Sequence, residues 1–170
     1  METATLAPVY TTTRELTAWH EAGHAVMAHL CGQFVTGVEI VGDENLTGSV
    51  SSLRLIHARH GTDPAVRTAR LETRILCLVA GFAAEAIVSD DWDWSAAEDE
   101  DLNEAVRLSL RITKRCDKVP RFLEHARDHA VDLLRSNWPA VEAVSRELMK
   151  KGRLSGEEFR VMVESWDLVS

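Results

Sequence analysis

The chain has 170 residues, 45% hydrophobic and 27% charged, with a net charge of −8. This is ordinary globular composition, long enough for one domain with its own core. The acidic balance argues against nonspecific binding to nucleic acid or to an anionic membrane, since both want a basic face.

Residues 1–11 read as a flexible arm with neither the basic start nor the apolar core of a signal peptide. The longest apolar run, Ile75 to Ala84, is too short for a membrane span. A cytoplasmic protein with no membrane and no nucleic-acid partner is therefore expected. Cys31, Cys77 and Cys116 are widely spaced and form no Cys-x-x-Cys, so they read as buried reduced thiols rather than metal ligands.

Thr12 and Glu15 fit a capping box, which opens a helix over 13–31. Leu16, Trp19, Gly23, Val26 and Leu30 keep helical spacing along it, and Gly32 ends it. Gly23 is costly inside a helix, so a close neighbour is expected to need its space. His20-Glu21-Ala22-Gly23-His24 lies mid-helix. Positions i and i+4 stack on one face, so His20 and His24 can aim two imidazoles at one point, half of a zinc shell. Glu21 is turned about 100° from His20, near a metal without binding it, where a carboxylate can take a proton from metal-bound water. Two helical histidines are also ordinary surface or core residues. A third ligand elsewhere in the chain is what the metal reading requires.

Residues 34–41 alternate as a strand, and residues 46–55 give a second one, with a bulge or close approach at Gly48. Such a pair either holds an extended peptide on its edge or merely covers the helix. His57 and His60, in the loop at 56–62, read as solvent-facing. Asp63-Pro64 opens a helix over 64–88, with Ala69, Leu76, Val79, Phe82, Ala83, Ala86 and Ile87 inward and Gly81 allowing tight packing. Glu85, within this apolar stretch, needs a partner. It reads as a zinc ligand, an acceptor for a ligand histidine's N–H, or a buried structural acid.

The acidic, Trp-bearing loop at 89–100 is either a solvated connection or a cleft wall. Asp101 opens a helix over 101–115, with Leu102, Ala105, Val106, Leu108, Ser109 and Ile112 as inner positions; Asp99 and Asp101 also suit a simple capping role. Helices over 121–137, 139–151 and 156–167 complete the chain, the last capped by Ser155 and Glu158. His125 and His129, at i, i+4 on a charge-rich face, read as exposed. The expected fold class is α+β, mostly α: the helix bearing His20-Glu21-Ala22-Gly23-His24 beside a small β-sheet, then a C-terminal helical bundle. One domain over 1–170 divides into the arm at 1–11, a metal-site region at 12–117 and C-terminal helices at 118–170.

From Leu16 to about Phe159 the sequence resembles the zinc-peptidase part of the FtsH-type membrane AAA proteases. The resemblance is carried by His20-Glu21-Ala22-Gly23-His24-Ala25, the strands ending near Gly48, Ala80-Gly81-Phe82-Ala83-Ala84-Glu85, the turn into Asp101-Leu102, and Gly152 to Glu158. It implies a zinc metalloendopeptidase with Zn²⁺ on His20, His24 and Asp101. Asp101 is favoured over Asp99 because Leu102 follows and the helix begins there. Glu85 is the alternative third ligand, and Glu21 is the catalytic base. Phe82 stands where the family usually has Arg, Ala86 where it often has Glu, and residues 98–100 are acidic where the family has small and amide residues. The implied substrates are peptides or unfolded protein segments. The family's ATPase domain and membrane segments are not in this sequence, so a separate ATPase or unfoldase is the expected helper. Related peptidase domains form rings, which makes a homo-oligomer an open expectation. The competing reading is a non-catalytic zinc-binding regulatory module derived from such a peptidase, for which the intact Glu21 has no use.

Overall fold

A computed structural model describes residues 12–40, 63–94 and 100–166. The second strand at 46–55, Gly48, His57, His60 and Asp99 lie outside the described residues.

Helix α1, Thr13–Leu30, begins where the sequence says it should. Thr12 Oγ1 accepts from the Glu15 N–H at 3.2 Å, and Glu15 reaches back to the Thr12 N–H at 2.8 Å. Gly32, at φ +69°, follows its end. From His20 to Ala28 every residue is buried, so this stretch is enclosed on all sides rather than on one face. Its small residues, Ala18, Ala22, Gly23 and Ala25, are what let neighbours approach that closely.

Helix α2, Pro64–Ser89, starts on Asp63, whose carboxylate accepts from the Ala65 N–H at 2.8 Å, with proline at the first turn. It is the principal neighbour of α1 and runs antiparallel to it, the His20 end of α1 lying against Glu85 and the His24 end against Cys77. A Cβ on Gly23 would stand 2.6 Å from the Ala80 carbonyl and 2.7 Å from Ala84 Cβ, so the two backbones nearly touch there. The need for space expected at Gly23 is met by α2. The first turns of α2 project into solvent. Ala69, expected inside, is exposed, because α1 covers α2 only from about residue 71 onward.

Helix α3, Glu100–Thr113, packs on α2 and on α4, Val119–Ser136; a short 3-10 turn, Cys116–Lys118, joins α3 to α4. Ala105, Leu108 and Ser109 are its buried positions. Val106, expected inside, is exposed, since α2 and α4 cover only the opposite side of α3. Cys116 is exposed in the 3-10 turn, not buried as expected. His125 and His129 are exposed on α4 as expected.

Helix α5, Trp138–Lys151, covers the remaining side of α1, where Trp138 stacks on Trp19 with centroids 5.1 Å apart. Gly152, at φ +76°, ends α5. Helix α6, Gly156–Glu164, begins with a second capping box, Ser155 with Glu158.

Between α5 and α6 lies a strand the sequence did not announce. Strand β1, Gly37–Glu39, pairs antiparallel with β2, Arg153–Ser155, in the register Gly37 to Ser155, Val38 to Leu154, Glu39 to Arg153. Flanking bonds from Ile40 N–H to the Gly152 carbonyl and from Gly156 N–H to the Thr36 carbonyl extend the ladder. Three residues of Arg-Leu-Ser carry too little alternation to read as a strand. The pairing forms because Leu154 and Val38 both bury their side chains in the core. The fold is thus α+β and mostly α, with α1 at its centre. Among the described residues no helix is long and apolar enough to cross a membrane.

Candidate metal centre

Two elements bring His20, His24 and Asp101 together. Both histidines come from the buried stretch of α1, and Asp101 comes from the first turn of α3. One donor atom from each lies within 4.8 Å of the others. His24 Nε2 is 2.8 Å from His20 Nε2 and 3.0 Å from Asp101 Oδ2, and His20 Nε2 is 3.9 Å from the same oxygen. Two ligands about 2.0–2.1 Å from a tetrahedral ion stand roughly 3.3 Å apart, within the range these three spacings bracket.

The opposite edges of the imidazoles are tied down. His24 Nδ1–H donates to the Cys77 carbonyl at 2.7 Å, and a carbonyl can only accept. His20 Nδ1–H donates to Glu85 Oε1 at 2.8 Å. Neutral rings bonded this way turn their Nε2 lone pairs toward each other and toward a carboxylate. Three acceptors converging at these distances repel unless a proton or a cation sits among them. The donor set therefore fits a metal ion.

The helix opposite leaves room for one. A Cβ on Gly81 would stand 2.6 Å from both Nε2 atoms, so any side chain larger than hydrogen would fill the space in front of them. The sequence pointed to Gly81 for packing alone. Its spacing held more: Cys77, Gly81 and Glu85 recur at i, i+4, i+8 on the face of α2 that meets the histidines. Glu85, of its three readings, takes the one in which it accepts a histidine N–H.

Without a metal the proton settles on His20. Burial disfavours a charged His20, but hydrogen bonds to Asp101 and Glu85 outweigh it and push its pKa up to about 10. Burial would raise the Asp101 carboxyl; its contacts with His20 and His24 prevail and hold it well below the usual carboxylate range.

Glu21 is buried at 2% exposure, and its Oε2 has no hydrogen-bond partner among the described residues. A carboxylate oxygen in that state costs free energy and is found where a reaction or an unseen partner uses it. Phe82 meets the His20 ring edge-on at 5.0 Å and touches Trp94 at 5.8 Å, which in turn lies under Arg127 at 5.9 Å. The segment after α2 is thereby folded back beside the histidines as an aromatic wall.

The chain is 24% identical to the ATP-dependent zinc metalloprotease FtsH 2 of Sphaerobacter thermophilus, over 88% of this chain and 27% of that protein. It is 26% identical to the ATP-dependent zinc metalloprotease FtsH of Thermus thermophilus, over 91% of this chain and 30% of that one. The similarity is to FtsH zinc metalloproteases. It runs through most of this chain, which spans less than a third of the length of these FtsH relatives. No protein-family model matches the chain.

Proposed function

We propose that this chain is a zinc-dependent metalloendopeptidase acting on peptides or unfolded protein segments, with His20, His24 and Asp101 as metal ligands and Glu21 as catalytic base. The observation that carries the reading is the convergence of His20 Nε2, His24 Nε2 and an Asp101 carboxylate oxygen in the space Gly81 leaves open. Similarity to two zinc metalloproteases supports the metal and the reaction class.

Zinc bound there would polarise the scissile carbonyl and acidify the attacking water. Glu21, carried on the same helix one residue from His20, takes that water's proton and returns it to the leaving amine as the C–N bond breaks. Its burial keeps the carboxylate out of bulk water, where it would be solvated rather than poised. Glu85 and the Cys77 carbonyl fix which nitrogen of each imidazole faces the ion. Cleaving a folded protein would need an unfoldase. The relatives are named as ATP-dependent, so we propose that an ATPase supplies extended substrate to this site.

The test compares wild type with Glu21→Gln for zinc content and for cleavage of an unfolded protein. Zinc should be retained in both, and cleavage should fall at least about a hundredfold in the variant. Equal cleavage by the two would remove Glu21 from the mechanism. Tight zinc with no cleavage by wild type would favour a non-catalytic zinc module instead.

A further inference from the structure

Phe82, expected on the core side of α2, is half-buried and, among the described residues, packs outside the hydrophobic core. Its ring contacts lie elsewhere. It meets the His20 imidazole edge-on, with centroids 5.0 Å apart and planes at 81°. On its other side stands Trp94, also half-buried, with centroids 5.8 Å apart and planes inclined at 51°. Rings at that inclination make a corner rather than a stack. A corner offers an incoming aromatic ring an edge of one wall and a face of the other, the two arrangements that aromatic pairs prefer.

The corner is held from behind. The Arg127 guanidinium lies 5.9 Å from the Trp94 centroid and donates to Asp128 Oδ1 at 2.9 and 3.0 Å. Arg135 lies 5.8 Å from the Trp92 centroid, and Trp92 Nε1–H donates to Asp90 Oδ1 at 3.0 Å. The segment 90–94 is thus clipped to α4 at two points two turns apart. A wall fixed before the ligand arrives costs little further ordering when it binds.

Resting on the metallopeptidase reading, we propose that Phe82 and Trp94 form a specificity subsite that takes an aromatic side chain of the substrate next to the scissile bond. One ring separates Phe82 from the converging donor atoms, which is within reach of a side chain flanking a bond held there. Arg127 is a positioning residue, acting on the subsite through Trp94.

The experiment loads the whole chain with zinc and measures binding of two probes by isothermal titration, N-acetyl-phenylalanine hydroxamate and N-acetyl-alanine hydroxamate. The hydroxamate anchors both probes at the metal, so their ratio reports the side chain alone. Wild type should prefer the phenylalanine probe at least about tenfold. Trp94→Ala leaves the Phe82 contact with His20 in place and should erase most of that preference with zinc content unchanged. Phe82→Leu keeps an apolar cover on His20 without the flat ring and should do the same. Equal binding of the two probes by zinc-loaded wild type, or a preference that both variants retain, would overturn the subsite and leave the metallopeptidase reading standing. Wild type that holds no zinc would overturn both. The expected preference in a protein that cleaves no peptide would support the subsite and remove the reaction.

Discussion

Two parts of this molecule are built on different rules. Around α1 and α2, contact is made by backbone and by atoms one or two bonds from it: Gly23 against the Ala80 carbonyl, Gly81 against the imidazoles, the Cys77 carbonyl on His24. In α5 and α6, stability comes from local devices on exposed faces. Ser155 and Glu158 form a capping box, Arg146 pairs with Glu142 one turn away, and Arg160 pairs with both Glu157 and Glu164. Beneath them lie ordinary large core side chains, Leu148, Phe159 and Val163. The first region is intolerant because each position faces a particular atom. The second is tolerant because each device is local, screened by solvent and replaceable.

The largest expected effect is that of Gly81→Ala, which puts a methyl 2.6 Å from both Nε2 atoms. Metal affinity should fall at least about a hundredfold while helix content stays the same. Competition with a chromophoric chelator, beside circular dichroism, measures both. Retained affinity would show that the site opens more easily than the close helix contact implies. Leu148→Ala, in the other region, should cost about 2–5 kcal/mol of stability and leave metal affinity unchanged. Denaturant unfolding with and without zinc separates the two consequences.

The pH response should divide the regions too. His20 has its pKa raised from 6.5 to about 10 in the metal-free fold. A raised pKa means that the folded state favours the protonated ring. Its contribution is complete below pH 6.5 and is lost as pH rises through about 10. Metal-free protein should therefore unfold at progressively lower denaturant over that window. Zinc bound at His20 would displace the same proton, so on the proposed ligand set its apparent affinity should weaken about tenfold per unit as pH falls below 10. Asp101, held below the usual carboxylate range, stays ionised throughout and adds no slope. A metal-free midpoint that is flat from pH 6.5 to 10 would remove the shared proton from the account of the site.

The smallest expected effect is that of Ser155→Ala. It removes the acceptor for the Glu158 N–H and should cost about 1 kcal/mol with no change in metal affinity. Thermal unfolding with and without added zinc measures it. A larger loss would mean that the cap also holds β2 in register with β1.

The local rules were legible because their signals sit within four residues of one another. Thr12 with Glu15, Asp63 with Pro64, and Ser155 with Glu158 set the starts of three helices. His20 and His24 share a face for the same reason, and that spacing alone marked the stretch as half of a metal shell. Burial was less legible. Ala69 and Val106 fit an apolar stripe yet lie outside, since periodicity says which side of a helix is apolar and not how far a neighbour extends.

What the sequence by itself determined is the set of helices and the pairing of His20 with His24 along one of them, both short-range consequences of backbone geometry. Only the tertiary structure decided that Gly81 faces the imidazoles, that Glu85 accepts from His20 rather than standing among the converging donors, and that β1 finds its partner in Arg153–Ser155. Those depend on how closely two helices approach and where a distant segment lands, distances of a few ångströms that no spacing along the chain encodes.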